Sequence, residues 1–341
     1  MKNIIALFVA ITCFSGVSLA QKINKNVEEK PIVIKLSHVV KDGTPKALAS
    51  FEFKRIMEQK FPEKVFVEIY GDNKLFKDRE ETEALELGAV DVIIPTSGKI
   101  AGFYGIKEFE LFDLPFMFKN TEDITNFTLS KSGQKLLNFL NDKNKTVLAV
   151  TYWSNDFRNY NGSKFFKTPD DFKGLTARTE SAGTMKRFYD SLEVKETINL
   201  GFSELAKAMK KQGENKVDVA SNPNSNYNSI QLYESSKFIT LSKHDVNTYV
   251  LLTNKRWFNN LPIDIKTGFL EAAKESGLYH FKIAQNLGLE DLEKVKKIGT
   301  QVYTWTKEER ELFKLRAVAS HQNYLKNINK EFLDEVYELV K

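Results

Sequence analysis

Two arginines carry the clearest chemical signal in the sequence. Arg158 lies in the loop-like stretch "SNDFRNYNG", and Arg178 follows twenty residues later in the strand-like run "LTARTE". A guanidinium group offers parallel N–H donors that match the two oxygens of a carboxylate, and it stays charged at any physiological pH. On a surface the two side chains would be ordinary solubility charges. In a cleft they would form a clamp for a carboxylate.

The sequence lacks the common motifs of catalysis and metal binding. It contains no Gly-x-Ser-x-Gly elbow, no Walker loop and no Gly-x-Gly-x-x-Gly after a strand. The histidines are widely spaced, and none belongs to a His-Glu-x-x-His or His-x-His pattern. Acidic runs such as "DREETEALE" fit solvated helix faces better than a catalytic carboxylate pair. We therefore expect a protein that binds a ligand without catalysis, metal or cofactor.

The N-terminus predicts export from the cytoplasm. The stretch "MKNIIALFVAITCFSGVSLAQ" has one lysine, an apolar run from Ile4 to Phe14 and small residues ending at Ala20, which is the pattern of a secretory signal peptide. The apolar run is shorter than the roughly 20 residues that span a bilayer, so we expect cleavage near Ala20 and no membrane insertion. Cys13 is the single cysteine. Its loss with the peptide would leave a chain without disulfides, which fits the bacterial periplasm.

Composition bounds the class of protein. Hydrophobic residues make up 42% and charged residues 28% of the chain, as in an ordinary globular protein. The net charge of +5 is small beside 50 basic and 45 acidic side chains, and the lysines are scattered among acids. We therefore expect no nucleic-acid partner. About 320 of the 341 residues would remain after cleavage, which favours two domains over one.

The elements that must position the arginines alternate between strand and helix patterns. "PIVIKLSHV", "KVFVEIY" and "AVDVIIPTS" predict strands, and a helical segment that begins with Thr44 and Pro45 lies between the first two. This order indicates open α/β sheets with a parallel core. "ALELGAVDVIIPTS" and "AMKKQGENKVDVASNP" resemble each other and suggest two similar halves. Ligands bind beyond the carboxyl ends of such strands, which places Thr96 and Asn222 at a shared cleft.

Longer segments of the sequence resemble a known family of binding proteins. From Ile32 to the C-terminus the chain is similar to the solute-binding proteins of tripartite ATP-independent periplasmic (TRAP) transporters, the C4-dicarboxylate-binding-protein family. The strongest matches are "VTYWSNDFRNYNGSKFFKTPDDFKGLTAR", "GFSEL" followed by "VDVASNP", "LSKH" and "KRWFNNLP".

The resemblance implies a periplasmic-binding-protein-like α/β fold, in which two α/β domains surround a ligand cleft and a long helix spans both. We expect residues 21–155 and 247–288 to form the first domain and residues 156–246 and 289–341 to form the second. The resemblance also implies a function. Domain closure would capture a small organic acid, and the protein would deliver it to a TRAP permease of one small and one large membrane subunit, driven by an ion gradient.

The resemblance also assigns roles to individual residues. Arg178 matches the family's strand arginine that pairs with the ligand carboxylate, and Arg158 matches a loop arginine that supports it or supplies a second charge. Asn222 matches the asparagine of a Glu-Asn-Pro motif and could donate through its amide. Trp153 and Phe202 would exclude water and press on the carbon skeleton of the ligand. The remaining candidates are polar residues near the expected cleft: His38 after the first strand, Asp78 at a helix start and Thr96 after a strand.

Two positions depart from the family pattern. Ser221 stands where the family often has the glutamate of Glu-Asn-Pro, and Thr96 stands roughly where sialic-acid binders carry an acid. Both changes favour a small mono- or dicarboxylate over a sugar acid.

Other interpretations remain open for each residue and for the function. Arg178 could be an exposed strand charge, Arg158 a structural brace, and the two aromatic residues parts of the core. Asp78 could be an acid favoured by a helix dipole, and Asn222 could begin a turn before Pro223. The binding protein could serve a sensory receptor instead of a permease. The chain could also be a periplasmic enzyme that acts on organic acids.

Overall fold

Strands and helices alternate through most of the chain. The structure is a computed structural model that describes residues 30–181 and 183–340. The predicted signal peptide, with its cleavage site near Ala20, lies outside the described residues. The strands are β1 (Ile32–Ser37), β2 (Val65–Tyr70), β3 (Val92–Ile93), β4 (Val147–Phe157), β5 (Asn159–Gly162), β6 (Thr176–Thr179), β7 (Glu196–Asn199), β8 (Val219–Asn222), β9 (Phe238–Leu241), β10 (Val246–Asn254) and β11 (Gln301–Thr304).

The helices connect these strands and cover the faces of the sheets. They are α1 (Pro45–Lys60), α2 (Glu81–Glu86), α3 (Ser97–Tyr104), α4 (Thr121–Leu129), α5 (Lys131–Lys143), α6 (Thr184–Ser191), α7 (Phe202–Lys210), α8 (Asn224–Ser229), α9 (Lys255–Asn260), α10 (Ile263–Lys297), α11 (Lys307–Asn327) and α12 (Lys330–Leu339).

Two sheets define two lobes, and the predicted fold class is confirmed. The first lobe has the strand order β2-β1-β3-β10-β4, and the second has the order β11-β9-β5-β8-β6-β7. The strands β1, β2 and β3 pair in parallel, as the alternation of strand and helix predicts. The sheets are mixed, however, because β10 pairs antiparallel with β3 and β4, and β5 pairs antiparallel with β8 and β9.

The antiparallel strands mark the places where the chain crosses between the lobes. Only Arg158 separates the last strand of the first lobe before the crossing, β4, from β5 in the second lobe. The return crossing is the segment 242–245 between β9 and β10. The two crossings lie side by side, because the Arg158 N–H donates to the Asp245 carbonyl over 3.0 Å. We call these two segments the crossover.

The long helix α10 belongs to both lobes, as predicted. At about 1.5 Å per residue its 35 residues extend for roughly 50 Å. Near its start Phe269 and Ala273 pack in the core of the first lobe, and near its end Leu292 and Val295 pack in the core of the second. The helix therefore braces the two sheets across the gap between them.

The last helix corrects the predicted domain division at one end. Residues 289–341 were expected to join the second domain, and α11 does pack against α6 of the second lobe. The helix α12 instead packs against α4 and α5, with Phe332, Leu333 and Val336 buried in the core of the first lobe. The reason is the apolar face of α12, which is buried where it meets those two helices. The other predicted domain boundaries stay predictions.

Within the described ranges, none of the helices has both the length and the apolar character that crossing a bilayer requires. The same residues include no cluster of three or more histidine, cysteine, aspartate or glutamate side chains placed to hold a metal ion.

Candidate ligand-binding site between the two lobes

A narrow cavity of about 20 Å³ lies between the lobes. It forms where several strands end, as expected for an α/β fold. Residues after β1 and β3, together with α1 and β10, supply one side, and residues after β6, with α7 and α8, supply the other. The lining residues are Val39, Val40, Lys46, Thr96, Lys99, Glu180, Phe202, Asn226, Asn247 and Tyr249.

A wider and more open groove adjoins this cavity. The groove and the cavity share Lys99 and Glu180, and the groove also has Asp78, Arg79 and Ser181 in its walls. We call it the outer groove. Because the outer groove is polar and adjoins the cavity, a side chain at the cavity wall has space to turn into it.

Arg178 lies at the wall of the second lobe and not on the outer surface. Its side chain is 1% exposed, which excludes the interpretation as a solvated strand charge. The Nε and Nη2 groups donate to the Leu200 carbonyl over 3.2 and 3.0 Å, and Nη1 donates to Glu180 Oε1 over 2.8 Å. Glu180 itself lines the cavity, so its carboxylate lies between the guanidinium and the open space.

Glu180 is a functional candidate that sequence reasoning missed. Its second oxygen lies 3.7 Å from Arg158 Nη2, so its carboxylate is placed between the two arginines. Burial alone would raise the pKa of Glu180, but the positive charges of Arg178, Arg158 and Lys99 lower the pKa to about 2. The group is therefore ionised throughout the physiological range. A signal existed, because Glu180 follows Arg178 by two residues and successive alternate residues share one face of a strand.

Arg158 is the centre of a buried ionic cluster at the crossover. Its Nη1 lies 3.1 Å from Asp113 Oδ1 and 3.2 Å from Asp245 Oδ1, and its Nη2 donates to Asn247 Oδ1 over 3.1 Å. We call Arg158, Asp113, Asp245 and Asn247 the crossover cluster. Burial opposes the charge of Arg158, but Asp245, Glu180 and Asp113 raise its pKa above the ordinary value. Arg158 therefore braces both chain crossings and reaches the cavity wall only through Glu180 and Asn247.

The two acids of the crossover cluster compete for one cation. Burial raises the pKa of Asp113 to about 7, although the nearby charge of Arg158 opposes this shift. Asp245 and Glu180 add negative charge close by and push the pKa in the same direction as burial.

Lysines place positive charge on the first-lobe side of the cavity. Lys46 is 3% exposed, donates to the Ile94 carbonyl over 3.0 Å and lies 4.0 Å above the Tyr249 ring. Burial lowers the pKa of Lys46 to about 8, while Glu81 opposes the shift. The sequence pattern of α1 could not reveal this lysine, because a buried and an exposed lysine look alike until the packing partner of the helix is known.

Asp78 connects the two lobes at the edge of the cavity. It forms an ion pair with Lys99 and accepts a hydrogen bond of 2.9 Å from the Phe202 N–H of the second lobe. Burial would raise the pKa of Asp78, but Lys99, this hydrogen bond and Arg178 lower the pKa to about 2. The helix α2 begins three residues later, at Glu81, so Asp78 is not part of that helix.

The structure brings some of the predicted site residues together and separates others. Phe202 and Thr96 line the cavity, and the Thr96 hydroxyl is buried without a hydrogen-bond partner among the described residues. Asp78 lines the outer groove. Arg178 contacts the cavity through Glu180, and Arg158 lies behind it in the crossover cluster.

Trp153, Asn222 and His38 do not line the cavity. Trp153 is a core residue of the first lobe, because its indole N–H donates to the Ala273 carbonyl of α10 over 3.1 Å. The Asn222 amide donates to the Asn161 side chain on the neighbouring strand over 2.9 Å, which turns it along the sheet. His38 is fully buried against Gly71, and burial lowers its pKa to about 3, so it is neutral.

Comparison with known proteins agrees with this architecture. Residues 36–327 match the family model of the bacterial extracellular solute-binding proteins, family 7. The C4-dicarboxylate-binding periplasmic protein DctP of Rhodobacter capsulatus is 34% identical over 328 residues, which is 96% of each chain. The crystal structure of a TRAP periplasmic solute-binding protein from Shewanella oneidensis with bound succinate has a TM-score of 0.86 and 27% identity, and the match covers 91% of this chain and all of that one.

A second solved structure is similar to the same degree. The sugar acid binding protein DctPAm from Advenella mimigardefordensis, in complex with galactonate, has a TM-score of 0.85 and 27% identity, with 91% of this chain and 98% of that chain covered. The family match spans most of the chain, and the relatives match along nearly their whole length. The chain therefore belongs to the bacterial extracellular solute-binding protein family 7 and is a solute-binding protein of the TRAP type.

Proposed function

We propose that this protein captures a small organic acid, a mono- or dicarboxylate, in the cavity between the lobes and delivers it to a TRAP permease. Arg178 supplies the cation for the ligand carboxylate, with Arg158 supporting it from behind. The observation that carries the proposal is the Glu180 carboxylate, which lies between these two guanidinium groups at the cavity wall. A site that holds one carboxylate at this place has the geometry to hold another.

The rest of the cavity suits an acid with a short carbon skeleton. Phe202 and Val39 offer apolar surface, while Lys46 and Lys99 of the first lobe add positive charge to the cavity wall. A ligand that reaches from Arg178 to the lysines would contact both lobes at once. The relative from Rhodobacter capsulatus is named as a C4-dicarboxylate-binding protein, and the structure from Shewanella oneidensis contains succinate, which supports this class of ligand.

Domain closure supplies the capture step. The two crossings of the chain, at Arg158 and at residues 242–245, are the natural hinges, because both are short segments that join a strand of one sheet to a strand of the other. The Asp78 contact with the Phe202 N–H and the Arg79 contact with the Asn199 carbonyl then hold the lobes together at the mouth of the site. A ligand that contacts both sides favours the closed arrangement by its difference in affinity for the two states. Release to the small and large permease subunits requires the lobes to separate again.

The decisive experiment replaces Arg178. Purified Arg178→Ala is expected to keep its circular dichroism spectrum and to lose affinity for succinate by roughly 100-fold or more, because a charge-assisted bidentate contact disappears inside a buried site. Lys173→Ala, an exposed cation before the same strand, is the matched control and should bind as the wild type does. A ligand-induced rise in melting temperature that persists in Arg178→Ala would contradict the clamp.

The identity of the natural ligand is found in a separate experiment. The protein is purified without added acids and denatured, and the small molecules that it releases are identified by mass spectrometry. We expect an organic acid that is recovered unchanged after incubation with fresh protein, since we propose binding without turnover in the periplasm after cleavage near Ala20. Conversion of the acid during incubation would instead indicate an enzyme.

A further inference from the structure

We propose that Glu180 is a specificity-determining residue, a built-in competitor that occupies Arg178 and must turn away before a ligand carboxylate can pair with that guanidinium. The inference rests on the proposed function, because it requires Arg178 to be the ligand's cation. It adds a residue that sets the affinity of the site for anionic ligands.

Three of the five N–H donors of Arg178 are already engaged, and Glu180, not Arg178, lines the cavity and the outer groove. Nε and Nη2 are both committed to the Leu200 carbonyl, which is main chain and cannot move without disturbing the entry to α7. Nη1 donates to Glu180 over 2.8 Å, and the Glu180 carboxylate lines the cavity. An anion that approaches Arg178 from the cavity therefore meets Glu180 first.

Two carboxylates cannot share this place at low cost. Arg178, Arg158 and Lys99 hold the pKa of Glu180 at about 2, despite burial, so protonation does not relieve the repulsion near neutral pH. Like charges at hydrogen-bonding distance in a buried site repel strongly. The ligand carboxylate must therefore replace Glu180, and its net gain is the difference between two similar ion pairs.

The displaced side chain has a place to go. Glu180 follows the last residue of β6, so its side chain can rotate without breaking the pairing of that strand. The outer groove, which Glu180 already lines, holds Lys99 and Arg79. Lys99, which also pairs with Asp78, and Arg79, which also donates to the Asn199 carbonyl, have further N–H groups that can donate to the carboxylate as it turns.

The experiment compares wild type, Glu180→Gln and Glu180→Asp by isothermal titration with succinate and with malate. Gln keeps the shape and removes the charge, so we expect both ligands to bind roughly 10-fold tighter or more. Asp keeps the charge but reaches less far toward Arg178. The affinity of Glu180→Asp should therefore lie between that of the wild type and that of Glu180→Gln. The melting temperature of Glu180→Gln without ligand should fall, because Arg178 loses its counter-charge, while the ligand-induced rise should grow. Glu196→Gln, on the neighbouring strand β7, is the control. It should change neither the affinity for the two acids nor the melting temperature.

The outcomes separate the competitor from other roles. Weaker binding of both ligands by Glu180→Gln would overturn the competitor and make Glu180 a positive contact. A loss confined to malate would assign Glu180 to the ligand hydroxyl and would also overturn it. In either case Arg178→Ala must still lose binding. If Arg178→Ala binds as the wild type does, the arginine clamp of the proposed function fails. If neither wild type nor Glu180→Gln binds either acid, the competitor is overturned for C4 dicarboxylates, and the acid released from the denatured protein decides whether the proposed function holds.

Discussion

The crossover cluster and the wall around Arg178 present the same side chain in two settings. Arg158 and Arg178 are each 1% exposed, and each meets at least one buried carboxylate. Arg158 pairs closely with two acids, Asp113 and Asp245, and with an amide on β10, while Glu180 lies farther away at 3.7 Å. Arg178 has one acid, Glu180, and a main-chain carbonyl.

Arg158 and Arg178 are equally buried, so the difference between their roles comes from their hydrogen-bond and ion-pair partners. Within the crossover cluster, Asp245 is held by the return crossing, Asn247 by β10 and Asp113 by the chain segment that precedes Leu114. None of these three partners of Arg158 can leave without disturbing the junction of the lobes. The single acid on Arg178 follows a strand and borders open space, so it can be exchanged for another anion. A buried arginine braces the fold when its partners are fixed, and it is free to bind a ligand when its partner can move.

The largest effect is expected from Arg158→Met, compared with Arg178→Met. Removal of Arg158 leaves Asp113 and Asp245 buried without their cation, which should lower the free energy of unfolding by about 3–5 kcal/mol. Arg178→Met should lower the free energy of unfolding by less, because Glu180 is the one acid that loses its partner and it can turn toward Lys99. Urea unfolding with linear extrapolation measures both.

A double variant tests the reason for that difference. Arg158→Met combined with Asp113→Asn removes one of the stranded acids and should recover part of the lost stability. If Arg178→Met proves as destabilising as Arg158→Met, the two arginines do not differ as their partners indicate.

The pH dependence of stability should also separate the two regions. Burial raises the pKa of Asp113 to about 7, so the folded protein holds this proton more tightly than the unfolded chain does. The contribution of Asp113 to stability therefore falls as the pH rises from about 4 to about 7. In Asp113→Asn this loss disappears, and the slope of the unfolding free energy against pH should become more positive by up to about 1.4 kcal/mol per pH unit.

Glu180→Gln is the comparison for that titration. The pKa of Glu180 is lowered to about 2 by the neighbouring cations, so its contribution to stability is complete above about 4.5 and is lost only as the pH falls toward 2. Its replacement should shift the curve between pH 5 and 7 without changing the slope. Equal slopes in wild type and Asp113→Asn would show that Asp113 is already ionised at pH 5.

Local sequence signals predicted the fold well. The N-cap Thr44 accepts a hydrogen bond from the Ala47 N–H and Pro45 opens α1, as their positions indicated. The strand patterns "PIVIKLSHV", "KVFVEIY" and "AVDVIIPTS" became β1, β2 and β3. These features depend on neighbours in the chain, so the sequence contains them. The place of α12 depends on which distant helices cover its apolar face, and no local pattern contains that.

The site was predicted less completely, for the same reason. Arg178 was predicted to contact the ligand, which stays a prediction, and Glu180 was not considered, although both stand in one short run of residues. The spacing of two residues from Arg178 was a weak signal, but the contact of Glu180 with Arg158 depends on the fold, which brings Arg158 to its other oxygen. Trp153 shows the opposite case. Its neighbours suggested a pocket wall, yet α10 covers it and accepts its only N–H donor.

Asn247 joins the two regions, and the smallest effects are expected from its replacement. Its oxygen accepts a hydrogen bond from Arg158, its amide donates to the Tyr249 hydroxyl over 2.9 Å, and it lines the cavity. Asn247→Ala should lower the free energy of unfolding by about 1–2 kcal/mol, because both partners stay buried. It should also weaken succinate binding by roughly 3- to 10-fold, because the cavity wall loses a polar group and support for Arg158.

Asn161→Ala is the control, because it leaves the Asn222 amide without its acceptor at a place away from the cavity. It should lower the free energy of unfolding by a similar amount and leave the affinity for succinate unchanged. If the two variants weaken binding equally, affinity follows general stability. The distinction between Arg158 as a brace of the fold and Arg178 as a ligand-binding residue then fails at Asn247, which contacts both regions.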